Sequence, residues 1–167
     1  MCSLISRLLF CEKAPRQRTR MPLGFALLFW VPLAVAQSNL GELLDAGAKK
    51  LTPEEFRQEL VQRVIVGPTQ TGGSLEVIYT TTGSVQGSGT YTRGFAMTSP
   101  VSGDWMIDGD GRICTSMRIG AGPGGGMTST VSLPSRCQFW FKVADQYFLS
   151  DTDSDRRARV LSRTVKQ

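Results

Sequence analysis

Histidine is missing from all 167 residues. Ser-His-Asp and Cys-His groupings need an imidazole to carry the proton, so both are excluded. An apolar run of the roughly 20 residues that span a bilayer is also missing. The nearest approach is Met21 to Ala36, "MPLGFALLFWVPLAVA", which is uncharged, interrupted by Pro32 and closed by Ala34-Val35-Ala36. Lys13, Arg16, Arg18 and Arg20 precede it. That order of basic, apolar and small residues is the pattern of a secretory signal, with cleavage expected after Ala36 whether translation starts at Met1 or at Met21. No membrane span is then expected in the mature protein, and its location is expected to be periplasmic or secreted.

Cleavage removes the apparent excess of positive charge. The whole chain carries +5 with a pI near 9.3. Five of its 19 basic residues but only one of its 14 acidic residues lie before residue 37, which leaves 14 basic against 13 acidic. A basic pI would otherwise point to nucleic acid; here no nucleic-acid partner is expected. The remaining length suits one domain with a modest core, and a monomer is expected.

Cysteine is scarce as well. Of Cys2, Cys11, Cys114 and Cys137, the first two leave with the leader. Two thiols without histidine fall short of the usual four zinc ligands. In an exported chain Cys114 and Cys137 are expected to form a disulfide. No metal and no cofactor is expected.

Residues 37 to 51 read as an N-terminal arm, with Leu40, Leu43 and Leu44 able to form a short helix. In "LTPEEF", Thr52 caps a helix, Pro53 suits its first position and Glu55 completes a capping box. Phe56, Leu60 and Val64 give one apolar stripe, so the helix is expected over 52 to 64. Seven β-rich runs follow, at 74 to 80, 90 to 97, 104 to 108, 112 to 117, 136 to 143, 147 to 150 and 158 to 165. With no crossover-sized helix among them, residues 52 to 167 are expected to be mainly β (α+β). The expected architecture is an antiparallel meander, curved or closed into a small barrel, with the helix over an end or edge.

Asp108-Gly109-Asp110-Gly111 is a hairpin signal. A two-residue turn there puts Trp105, Ile107 and Cys114 on one face, with Arg112 near the turn. Alternation in "RCQFWFKV" groups Cys137, Phe139 and Phe141 and turns Gln138, Trp140 and Lys142 the other way. A disulfide would then gather Trp105 and Ile107 with Phe139 and Phe141. Trp105 reads as core. Trp140 either packs beneath the helix stripe or marks a recognition surface.

Gly120, Gly122 and Gly125 match G-x-G-x-x-G, but Pro123 and "MTSTVSLP" replace the helix that a dinucleotide site requires. A loop at a barrel mouth, with Gly122 and Gly125 able to touch a ligand, is the better reading. "DTDSD" begins like a calcium loop, yet Arg156 replaces its glycine and Ser162 its final glutamate, so a solvated turn is expected. Glu76, Asp104, Asp108 and Asp110 are the carboxylates considered for acid-base work, without a reason to pair them; no catalytic residue is assigned.

"LLDAGAKKLTPEEF", "GSLEVIYTTTGSVQGSG", "GDWMIDGDGRIC", "RCQFWF" and "DQYFLSDTDSDR" together resemble a group of small exported proteobacterial proteins of unknown function. The resemblance covers most of residues 43 to 157, implies an exported single domain and carries no activity. The expected function is a non-catalytic envelope protein of a Gram-negative bacterium that binds a small apolar ligand or a protein partner. An inhibitor of a cell-wall enzyme, using the 119 to 134 loop, and a carboxylate-dependent hydrolase are the alternatives. Trp140, Trp105, Gly122 and Gly125 are the candidate ligand contacts.

Overall fold

The structure is a computed structural model that describes residues 38 to 69, 72 to 93, 95 to 120 and 130 to 166. The predicted leader, residues 1 to 36, lies outside the described residues, as do Gly122 and Gly125.

The elements in chain order are α1 (Leu40–Asp45), β1 (Lys49–Lys50), α2 (Pro53–Glu59), β2 (Val64–Pro68), β3 (Ser74–Tyr79) and β4 (Ser84–Arg93). Then come β5 (Phe95–Ile107), β6 (Ile113–Ile119), β7 (Val131–Ser132), β8 (Arg136–Val143), β9 (Gln146–Ser150) and β10 (Leu161–Val165). Strands β8-β9-β10-β2-β3-β4-β5-β6 form an antiparallel meander, and a second pairing of β6 with β8 closes it into an eight-stranded barrel. β1 and β7 are short additions to β8 and β6. Closure removes the exposed edges that an open sheet would leave. Tight coiling of the sheet needs small inward residues: a Cβ on Gly103 would overlap the Ser116 carbonyl oxygen on the neighbouring strand.

Alternation sends Ile65, Val77, Tyr79, Val85, Val101, Ile119, Trp140 and Leu149 into the barrel, where they form the main core. Leu51, Phe56 and Leu60 join it from α2 and its flanks. The outer face of β8 and β9 is covered separately: Phe141 and Phe148 pack with Leu40, Leu43 and Val160. The N-terminal arm is thus a lid on the outside of the barrel, fixed by the Leu40 and Gly41 amides, which donate to the Ala158 and Arg156 carbonyls.

α2 forms for the local reasons its sequence states. The Glu55 amide donates to Thr52 Oγ1 at 3.2 Å and the Thr52 amide to Glu55 Oε2 at 2.8 Å, with Pro53 at the helix start. Its length differs from the expected 52 to 64. The helix stops at Glu59, Gln62 adopts φ 66°, and Val64 opens β2 opposite Ile78. The β-branched run Val64-Ile65-Val66 gains a ladder on both sides, from β3 and β10, and that tertiary pairing overrides the helical stripe. The run 90 to 97 likewise is not one strand: it is divided between β4 and β5, with Tyr91 paired to Met97.

The turn between β5 and β6 also corrects the sequence reading. It has five residues, 108 to 112, so Ile107 pairs with Ile113, Met106 with Cys114 and Trp105 with Thr115. Asp108 accounts for the longer turn: its Oδ1 accepts from the Asp110 and Arg112 amides, and its Oδ2 from Arg112 Nε at 2.7 Å. Arg112 is held there by Asp108 and Asp110. Consequently Trp105 and Ile107 point inward while Cys114 shares the outer face with Met106, which is 62 % exposed. The expected cluster of Trp105 and Ile107 with Phe139 and Phe141 does not form. Trp140, expected to point away from Trp105, instead lies on the same inner face, both indoles packing on Phe56 and Tyr79.

Candidate functional site

One end of the barrel is sealed. Phe56 of α2 has its ring centroid 5.5 Å from Tyr79, 5.5 Å from Trp105 and 5.3 Å from Trp140. Tyr79 stands nearly edge-on to both tryptophans, an arrangement that adds to the burial of area. The indole N–H of Trp105 donates to the Thr80 carbonyl at 2.9 Å, which satisfies its polar end. At the end of α2, Glu59 Oε2 accepts from Lys142 Nζ at 2.6 Å and from the Tyr147 hydroxyl at 2.7 Å, tying the helix to β8 and β9.

Trp140 is 3 % exposed and therefore takes the packing role, beneath Phe56. Trp105 belongs to the same layer. Both candidate contacts are thus brought together as a floor of the interior.

Away from α2 the interior opens into a cavity of about 300 Å³. Leu75, Met117 and Leu161 make its apolar wall, and Leu133 and Pro134 lie at the same site just before β8. Thr115 and Gln138 add polar groups, and Gln138 Nε2 is engaged by Asp151 Oδ1 at 2.8 Å. Two cations complete the lining, Arg136 and Arg163. Arg136 is exposed, whereas Arg163 is only 8 % exposed.

Alternation along β10 sends Leu161 and Arg163 inward, and Gly67 faces Arg163 on β2. A Cβ at Gly67 would stand 2.6 Å from Arg163 Nη1 and 2.5 Å from the Ser162 carbonyl oxygen, so the glycine makes room for the guanidinium. Nη1 donates to the Pro68 and Ser162 carbonyls, each at 2.8 Å. Burial pushes the Arg163 pKa down, with Tyr79 opposing that shift. Burial also pushes the Tyr79 hydroxyl up to about 12, with Arg163 pulling it the other way. Sequence reading missed Arg163 because "ARVLSRTV" carries two arginines, Arg159 and Arg163, in the same alternation phase, which reads as the charged face of an ordinary strand. Its inward phase, shared with Leu161, was the available signal.

The carboxylates considered from sequence stand elsewhere. Glu76 meets Lys166 at 3.3 Å, Asp104 is exposed, and Asp108 and Asp110 hold Arg112. Among the described residues no carboxylate lines the cavity. Cys114 and Cys137 form the disulfide, on the outer face. No helix among the described residues is long and apolar enough to cross a membrane. Comparison with protein-family models, curated proteins and solved structures finds no match. What defines the site is its own geometry: a closed barrel with one aromatic-sealed end and one hollow end.

Proposed function

We propose that the chain is a non-catalytic exported protein of the bacterial envelope that carries a small apolar ligand in the hollow end of its barrel. The cavity carries this reading. Eight strands enclose an interior that either fills with side chains or holds one small ligand, and here α2 and its aromatic neighbours fill only one end. The lining fits the usual balance of a ligand site, mostly apolar with a few polar groups that fix orientation. The Cys114–Cys137 bond supports an oxidising compartment such as the periplasm.

The test is a titration of the mature chain with 1-naphthylamine, a bicyclic dye uncharged at neutral pH and small enough for the cavity, whose emission moves to the blue and brightens in apolar surroundings. Saturable one-to-one binding is expected, weakened severalfold by Met117→Trp, which narrows the cavity. Dye emission that rises without saturation, or that ignores Met117→Trp, would overturn the reading.

A further inference from the structure

Resting on that reading, we infer that the ligand is a short aliphatic chain with a single oxyanion head, and that the Arg163 guanidinium receives the head inside the barrel.

Arg163 is a charge out of place for a core position. It is more than nine-tenths buried, and among the described residues no carboxylate pairs with it. An uncompensated buried charge costs several kcal/mol even after relaxation. Two backbone carbonyls take Nη1. Nε and Nη2 donate to no protein acceptor among the described residues, yet no buried side-chain nitrogen is left wholly enclosed without a partner. These N–H groups are therefore reached from the cavity that Arg163 lines.

Nε–H and Nη2–H form the edge of a guanidinium that matches two oxygens of a carboxylate or phosphate. Arg136 lines the same cavity, is exposed and makes no ion pair among the described residues, so a second cation is free to face an anion there. An anion is thus the species whose binding relieves both groups. Leu75, Met117, Leu133, Pro134 and Leu161 then specify the rest of the molecule as hydrocarbon. At about 30 Å³ for a group the size of a water molecule, a cavity of about 300 Å³ holds on the order of ten heavy atoms, the size of octanoate.

A carboxylate from a fatty acid and a phosphate from a lipid fragment share this chemistry. Calorimetry of the mature, oxidised chain at pH 7 with octanoate, octyl phosphate and octanol separates them. At least one of the two anions is expected to bind about tenfold or more tightly than octanol, the difference that one charge-assisted hydrogen-bonded pair supplies. A preference for octanoate assigns a fatty acid and a preference for octyl phosphate a phospholipid fragment; either supports the inference. Arg163→Gln is expected to erase the advantage of the anion and leave octanol within about twofold. Arg163→Lys keeps the charge without the fork and is expected to fall between them. Should Arg163→Gln fail to fold, the comparison of anion with alcohol on the unaltered chain still decides. Equal binding of octanol and both anions would overturn the oxyanion head while leaving the apolar cavity reading intact. No binding of any of the three, with 1-naphthylamine also unbound, would overturn both.

Discussion

Cys114 and Cys137 stand directly opposite one another across β6 and β8, the strand pair that closes the barrel, with their Cα atoms 3.8 Å apart. The bond lies on the outer face, beside Asp108, whose Oδ2 is 3.8 Å from Cys114 Sγ. It therefore fastens the seam of the barrel rather than its core. β6 and β8 share only three paired positions, from Ile113↔Gln138 to Thr115↔Arg136, so the seam has little else along its length.

Replacing both cysteines by serine is expected to lower stability by about 3 kcal/mol, the chain-entropy estimate for a loop of this length. Denaturant titration of the two forms measures it. A change below about 1 kcal/mol would show that the ladder closes the barrel unaided.

Phe56→Ala removes the ring that Tyr79, Trp105 and Trp140 surround. The expected loss is about 3 to 5 kcal/mol, accompanied by a red shift of tryptophan emission as water reaches the two indoles. Unchanged emission would contradict the placement of α2 as the seal.

Glu59 is the pH-sensitive part of that seal. The hydrogen bond from Lys142, and after it the one from Tyr147, hold its pKa below the ordinary 4.5 despite the opposing cost of burial. A carboxylate depressed in the folded state contributes stability that is fully present above its unfolded pKa and is lost as pH falls through the folded value. Lys142 is raised, chiefly by the hydrogen bond to Glu59, and its contribution is lost as pH rises past 10.5 and through the folded value. Glu59→Gln is therefore expected to cost up to about 1 kcal/mol at pH 7 and to flatten the loss of stability below pH 4.5. Urea midpoints measured across pH would contradict this if the variant and the parent ran parallel into acid.

Gly67→Ala places a methyl group against Arg163 Nη1 and the Ser162 carbonyl. It is expected to move the guanidinium together with the β10 backbone at Ser162, and to weaken binding of the preferred anion severalfold more than that of octanol, about the energy of one displaced hydrogen bond. Equal losses for anion and alcohol would mean that the substitution damages the cavity as a whole.

How much of this was legible in the sequence depends on which physical signal carried it. The capping box at Thr52 and Glu55, the strand at 136 to 143 and the pairing of Cys114 with Cys137 rest on local chemistry and on elimination, and all appear in the structure. The start of β4 and the middle of β5, residues 84 to 89 and 98 to 103, did not announce themselves, since "SVQGSG" and "TSPVSG" have the composition of loops. In a tightly coiled barrel Gly87 and Gly103 are where neighbouring backbones approach, and Pro100 sits just before β5 gains β6 as a second neighbour at Val101. The facing of Trp105 against Cys114 turned on the loop length at 108 to 112, which one Asp108 side chain decides. The cavity depends on closure, a long-range property, so Arg163 entered the site only once β10 was seen between β9 and β2.

The most direct test of the hollow end as the binding site is methyl-resolved NMR of residues 37 to 167 titrated with octanoate. Shifts and intermolecular contacts are expected at Leu75, Met117 and Leu161, the cavity wall, with the methyls of Leu40 and Leu43 outside the barrel unmoved. Contacts confined to the outer surface, or none at the three wall residues, would contradict it.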